Sequence, residues 1–303
     1  SYSQILVYFD KNIPVKTSEV TSVKISSDGR FLAYGMQEKG KVYIYDLVAK
    51  RELHQLQHNS NYRITSLLFD SKNKYVVSGS EDKTIIIWDL YSGKIQKTIT
   101  EYKGKVSHLA LSPDEKFLAV GGSKKEIYLF NFPGGLLKGR LLGIHKKGIF
   151  YTTFNLRGTQ LLSVGHDNII AFWDPFKLKM IRKSELKPNT IKGSDIELRT
   201  AKTSHDKKII GIGYEEMMLA KGGKRMIFKH NTAFYDWETG MEIKTIEGNA
   251  KKIDVLSLSF DGKYYLTDNS TLRENKISFW NFDKGAIEQK QLIKGNVTAI
   301  DLA

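Results

Sequence analysis

Apolar residues in this chain recur mostly at two-residue spacing, in short runs closed off by Gly, Asp, Asn and Ser, as in Val23 and Ile25, Leu67 and Phe69, Leu109 and Leu111, or Leu256 and Leu258. Such alternation turns one face of a segment inward and the other outward, and it predicts strands. Helical periodicity is absent, so the expected class is all-β. The runs also repeat. Six segments, DGRFLAYG, NKYVVSG, DEKFLAVG, GTQLLSVG, DKKIIGIG and DGKYYLTD, align on Phe31, Tyr75, Phe117, Gln160, Ile209 and Tyr264, at spacings of 44, 42, 43, 49 and 55. Eleven residues before each stands an aliphatic residue: Val20, Ile64, Val106, Ile149, Leu198 and Ile253. Each unit continues through a polar turn to a third strand ending in Tyr45-Asp46, Trp88-Asp89, Phe130-Asn131, Trp173-Asp174, Tyr235-Asp236 or Trp280-Asn281, and then to a fourth. Four short strands per repeating unit predict a radial architecture whose blades cover one another's faces.

Two segments, VVSGSEDKTIIIWDL from Val76 to Leu90 and LLSVGHDNIIAFWDP from Leu161 to Pro175, resemble the WD-repeat β-propeller family, and the repeat extends the resemblance over essentially the whole chain. It implies a blade staple of His, Ser or Thr, Asp and Trp. Blade four supplies His145, Ser163, Asp167 and Trp173. Blade two supplies Ser78, Asp82 and Trp88, with Ser60 at the expected histidine position and His58 two residues further back. Tyr45, Phe130 and Tyr235 replace tryptophan elsewhere, which marks a divergent member. The expected fold is a single seven-bladed propeller of four-stranded antiparallel blades over 1–303. Its blades fall at about 18–57, 62–100, 104–142, 147–185, 196–247 and 251–293, with an incomplete seventh from 1–17 plus 296–303. Ile5–Phe9, Ile13–Thr17 and Val297–Leu302 are its candidate strands, and pairing them closes the ring and removes exposed sheet edges. The natural protein is expected to continue past Ala303 and, lacking Met at Ser1, to have been trimmed at its start.

Charge changes the picture next. Lys+Arg number 47 against 33 Asp+Glu, a formal net charge of +14. With no cysteine, disulfide scaffolds, thiolate zinc sites, iron–sulfur clusters and cysteine nucleophiles are excluded. No apolar run approaches the roughly 18 residues of a membrane span. No signal peptide is visible in Ser1–Asp10, and the expected compartment is intracellular, cytoplasmic or nuclear. There is no G-x-S-x-G, no H-E-x-x-H, and no phosphate-binding loop, since Gly93-Lys94 is followed by Ile95. His54, His58, His108, His145, His166, His205 and His230 show no ligand spacing and read as structural or surface groups. No cofactor, metal, small-molecule substrate or catalytic residue is expected.

What remains is partner binding. Residues flanking the first-strand aliphatics bring Arg63, Lys105, Arg199 and Lys252 to the channel mouth, against Glu19, Glu197 and Asp254. From second-strand reference to third-strand aromatic the offset is 14, 13, 13, 13, 26 and 16, so blade five carries an insertion, Tyr214 to Asn231, and blade six a longer loop, Asp268 to Asn275. The connection from Trp173 to Leu198 is long too. In WD-repeat propellers these connections share one face. They would gather Lys221, Lys224, Arg225, Lys229 and Arg273 with Met217, Met218, Met226, Ile227 and Phe228, a mixture suited to an acidic peptide with apolar anchors. The plainer reading is a hairpin extension with solvated lysines. RNA or a ribonucleoprotein is the alternative partner, drawn by charge. Against it, lysines are spread over every repeat and no RNA-recognition motif is present. A catalytic propeller is the second alternative.

Overall fold

The computed structural model describes residues 20–37, 39–187, 195–219, 226–249, 256–259, 262–268 and 275–293. All 24 strands fall into six four-stranded sheets, each an antiparallel meander, and no helix occurs among the described residues. Sheet one contains β1 (Val20–Ile25), β2 (Phe31–Met36), β3 (Lys41–Asp46) and β4 (Arg51–Gln57). Sheet two contains β5 (Ile64–Phe69), β6 (Tyr75–Ser80), β7 (Ile85–Asp89) and β8 (Ile95–Ile99). Sheet three has β9 (Val106–Leu111), β10 (Phe117–Gly122), β11 (Ile127–Asn131) and β12 (Leu137–Leu141). Sheet four has β13 (Ile149–Phe154), β14 (Leu161–Gly165), β15 (Ile169–Asp174) and β16 (Lys179–Glu185). Sheet five is built of β17 (Asp195–Thr203), β18 (Ile209–Leu219), β19 (Met226–Asp236) and β20 (Glu242–Asn249), and sheet six of β21 (Leu256–Leu258), β22 (Tyr264–Asp268), β23 (Asn275–Asn281) and β24 (Ala286–Ile293). The candidate strands at 1–17 and 297–302, and Ile253, lie outside the described residues.

Five apolar clusters hold the sheets together, one between each consecutive pair. Sheet two illustrates the logic. Val76, Ile86 and Trp88 face sheet one, whereas Val77, Ile85 and Ile87 face sheet three. A strand covered on both sides has no reason to alternate, and β6, β10 and β14 are buried end to end. The first strands form the inner wall, β1 packing on β5, β5 on β9 and β9 on β13.

Repeat-specific residues have local reasons. Near the end of the second strand stands a glycine facing the next sheet's first-strand aliphatic; a Cβ on Gly79 would lie 2.6 Å from Val106 Cγ1, and one on Gly35 2.6 Å from Ile64 Cγ2. Only glycine permits that approach. The Asp or Asn after the third-strand aromatic accepts backbone N–H groups of the turn that follows in five of the six sheets, as Val48 and Ala49 at Asp46, Ser92 at Asp89, and Phe176 and Lys177 at Asp174. A serine five residues before the second strand closes the first turn: Ser26, Ser112 and Ser204 accept from the amides of Phe31, Phe117 and Ile209 and donate to Asp28, Asp114 and Asp206.

Candidate interaction site on the inner wall

Two hydrogen-bonded side-chain chains run from the sheet surface to the core. In sheet four, His145 Nδ1 lies 3.0 Å from Asp167 Oδ1, His145 Nε2 2.7 Å from Ser163 Oγ, and Trp173 Nε1 donates to the same Ser163 Oγ at 2.9 Å. An ionised carboxylate only accepts, so Nδ1 carries the proton, Nε2 accepts from the serine hydroxyl and the serine oxygen accepts from the indole. Burial lowers the His145 pKa, opposed by Asp167. The distances are those of a Ser–His–Asp triad. It cannot act as one: Ser163 is fully buried and its oxygen is already occupied by the histidine and the indole.

In sheet two the expectation for Ser60 is corrected. His58 occupies the histidine role, its Nε2 2.7 Å from Ser78 Oγ and its Nδ1 3.0 Å from Thr84 Oγ1 and 3.3 Å from Asp82 Oδ2. Ser60 Oγ instead donates to Asp82 at 2.7 Å, and Trp88 Nε1 donates to Ser78 at 2.8 Å. A two-residue slip in a connecting segment is invisible to an alignment anchored on the strands. Burial alone would raise the Asp82 pKa, but hydrogen bonds from His58, Thr84 and Ser60 outweigh it and hold the carboxyl well below its usual range. Sheet six carries a shorter version, Trp280 Nε1 donating to Thr267 Oγ1 at 2.8 Å. The sequence carries its signal. Three residues after the second-strand reference stand Ser78, Ser163 and Thr267 where the third strand ends in Trp, but Tyr34, Val120 and Ile212 where it ends in Tyr or Phe. A buried indole N–H needs an acceptor; phenylalanine does not.

The candidate interaction site is a cavity of about 460 Å³ where the starts of β5, β9, β13 and β17 meet the ends of the second strands. Arg63, Lys105 and Arg199, taken from three repeats, line it, with Thr65, Ser107 and Phe150 between them. Lys105 Nζ pairs with Glu81 at 3.1 Å, and Arg199 with Glu215 at 2.7 Å and Glu197 at 2.9 Å. Arg63 has no ion pair among the described residues, which makes it the uncommitted cation of the wall. Phe150 lies 5.6 Å from the ring of His166, whose pKa is lowered by burial and then by Lys147. Lys252 lies outside the described residues, as do Lys221, Lys224, Arg225 and Arg273.

The insertion of sheet five is a strand extension, the hairpin of the plainer reading. Tyr214 to Leu219 and Met226 to Asn231 continue β18 and β19 as one paired ribbon, from Tyr214↔Asn231 to Leu219↔Met226. β17 follows it as far as Asp195↔Met217. Within the ribbon Glu215 and Glu216 are buried, Arg199 reaching the first and Asn231 the second. Phe228 is exposed and Lys229 half-buried.

Two basic groups stand apart from the relay and the cavity, Lys207 and His108, the second among the histidines read as structural or surface groups. Lys207, in the turn after β17 with a φ of 56°, donates to Thr153 at 3.1 Å and Thr203 at 2.8 Å; burial, then Lys24 and Lys202, lower its pKa to about 8. His108 is driven down to about 3 by burial and Lys202.

Six four-stranded sheets sharing cores in series, with the His–Ser–Trp chains at matching positions, can be set beside known proteins. A domain family described as nucleolar protein 10-like, N-terminal, matches residues 7–134. The p21-activated protein kinase-interacting protein 1-like of Xenopus laevis is 24% identical over 87% of the chain and 65% of its own length. Protein ROOT INITIATION DEFECTIVE 3 of Arabidopsis thaliana is 28% identical over 54% of the chain and 40% of its own. Pre-mRNA-processing factor 19 of Caenorhabditis elegans is 22% identical over 65% of the chain and 40% of its own. These matches support a WD-repeat propeller family for the chain. WD-repeat propellers are interaction modules, and the relatives matched here are longer than the segment this chain spans. Among the described residues no helix is long and apolar enough to cross a membrane, and no His, Asp and Glu cluster has the makings of a metal site.

Proposed function

We propose that this WD-repeat propeller is a non-catalytic protein-interaction scaffold, a module of a larger protein or complex, whose inner-wall cavity receives an acidic segment of a protein partner. The observation that carries the reading is the convergence of Arg63, Lys105 and Arg199 on one cavity from three separate repeats. Arg63 is the cation left to take a partner's carboxylate. Thr65 and Ser107 offer hydroxyls, and Phe150 an apolar surface, so the site has the mixed character of a peptide subsite. Lys252, the exposed Phe228 and Lys229, and Lys221, Lys224, Arg225 and Arg273 would extend it along the ribbon of sheet five. The scaffold reading includes a single domain over 1–303 with a seventh blade closing the ring from 1–17 and 296–303. The relative named as a kinase-interacting protein supports a protein partner.

The alternative is an RNA- or ribonucleoprotein-binding propeller. It draws support from the nucleolar protein 10-like match and from the +14 charge, and both it and the pre-mRNA-processing relative accord with a nuclear location. One experiment separates the two: affinity purification of tagged wild type and Arg63→Glu/Lys105→Glu from cells, with and without ribonuclease. The scaffold reading expects nuclease-resistant protein partners that the double variant loses. Partners released by nuclease from wild type, together with steep salt dependence of RNA retention, would overturn it.

A further inference from the structure

The outer strands of sheets two to four present a second surface, away from the inner wall. Opposite each third-strand aromatic, the fourth strand places one residue at an equivalent register position. The pairs are Tyr45↔Glu52, Trp88↔Ile95, Phe130↔Leu137, Trp173↔Met180, Tyr235↔Glu242 and Trp280↔Ile287. In sheets two to four this residue is apolar and exposed; in sheets one and five, on either side, it is glutamate, and in sheet six it is Ile287, which packs partly buried against the core shared with sheet five. The turns leading into the same three strands add Tyr91, Leu136 and Phe176, and the six side chains are between 39% and 65% exposed. Tyr91 and Phe176 are not merely loose, since their rings stand edge-on to Phe31 and Phe117 of the preceding sheets at 6.2 and 5.7 Å. Packing fixes where they point.

The three rims are continuous. The turn of sheet three sits on the outer strand of sheet two, where a Cβ on Gly135 would lie 2.8 Å from Lys97 Cγ. In the same way Leu178, from the turn of sheet four, packs against Gly139 of β12. Isolated exposed apolar groups need no explanation, but a connected row across three repeats, bounded by glutamate at both ends, does. Charge supplies the complement. Lys97, Lys138 and Lys179 stand among the apolar residues and carry no ion pair among the described residues. Asp89 and Asp174, the acids of these turns, are engaged by turn amides.

We propose that this rim of sheets two to four is a docking surface for an acidic segment of a partner protein, its apolar side chains seated on Ile95, Leu137 and Met180 and its carboxylates on the intervening lysines. The surface is independent of the inner-wall cavity. Cations and apolar groups alternate along the same short strands, which suits a polypeptide with alternating chemistry better than a bilayer, where apolar tips must pass below the plane of the charges.

The test is a phage-displayed library of random 16-residue peptides selected on the intact chain, with selected peptides resynthesised for fluorescence anisotropy. Selected sequences should be acidic with several apolar residues. They should bind Ile95→Ser/Leu137→Ser/Met180→Ser at least tenfold more weakly, at unchanged melting temperature, and bind Arg63→Glu as they bind wild type. Binding lost in Arg63→Glu but kept in the triple variant would overturn this surface and leave the inner-wall reading intact. Selection of neutral or basic peptides would overturn it too. So would rim-dependent binding to phosphatidylserine vesicles without peptide binding, or rim-dependent self-association in sedimentation, each giving the rim a different occupant.

Discussion

Sheets four and five are neighbours with one shared core, yet they solve the same problem in opposite ways. Sheet four ends its third strand in Trp173 and ties the indole through Ser163 and His145 to Asp167, so a buried polar chain fixes the connection entering the sheet. At the matching positions sheet five has Ile212 and Tyr235, and the buried Tyr235 hydroxyl has no hydrogen-bond partner among the described residues. It compensates by length. Eleven-residue strands replace those of five and six, and Arg199 ties β17 to β18 through Glu215. A compact sheet is thus held by a side-chain relay, a long one by extra ladder bonds and an ion pair.

The comparison breaks most visibly at the anchors. Trp173→Ala removes a fully buried indole and strands the Ser163 and His145 hydrogen bonds, so it should cost about 3–5 kcal/mol in urea unfolding. A cost under about 1 kcal/mol would mean the relay is ornamental. Arg199→Ala leaves Glu215 buried and unpaired and should cost about 2–4 kcal/mol. Hydrogen exchange should report the opening in β17 to β19 while β13 to β16 stay protected; uniform loss would show that the ribbon is not an independent unit.

The relay also has a pH signature. His145 is held neutral in the fold, its pKa below the ordinary 6.5, so the unfolded chain takes up its proton first and stability falls as pH drops below about 6.5. His108, at about 3, adds to the same loss down to that value. Asp82 and Asp167 are depressed, and their contribution, present above about 3.8, disappears only as pH falls below it. His108→Gln should flatten the slope between pH 6.5 and 4 in chemical denaturation; an unchanged slope would place the proton uptake elsewhere.

Much of this was legible in the chain. The invariant eleven-residue offset from first-strand aliphatic to second-strand reference locates eleven of the twelve reference residues within described strands or one residue from them, because every sheet must present the same inner edge to its neighbours. Arg63, Lys105 and Arg199 were found by the same offset, since a repeat converts sequence position into place on the wall. What failed had no such ruler. His58 sits in a connection of variable length. Blade five's insertion carries no glycine- or proline-rich signature before Gly222, so length alone leaves a partner loop and a hairpin extension both open. Lys207 has no ruler because the equivalent turn position varies freely, Gly29, Asn73, Glu115, Gly158 and Gly262 standing there in the other repeats.

Two smaller effects sharpen the contrast. Thr267→Val should orphan the Trp280 N–H and cost about 1–2 kcal/mol, and the cost should shrink toward zero in a Trp280→Phe background, the signature of a single hydrogen bond measured by a double-mutant cycle. Lys207→Gly is the subtler change. Lysine holds a left-handed φ of 56° that glycine adopts freely at three of the five equivalent turns, Asn73 and Glu115 standing at the other two, and its ammonium is buried beside other cations. Against the substitution stand two hydrogen bonds, one to Thr203 of its own sheet and one to Thr153, which ties sheet five to sheet four. Relief of backbone strain and of a buried charge should outweigh them, giving a net gain of about 1 kcal/mol at pH 7. The sign has a second check. With a folded pKa near 8 against 10.5 unfolded, the wild type gains stability as pH rises from about 8 to 10.5, since the unfolded chain holds the proton longer. The variant should lack that rise, so the two stability curves converge at alkaline pH; a variant less stable at pH 7 would make Lys207 a strut between the two sheets, and the junction between sheets four and five would then depend on a buried cation.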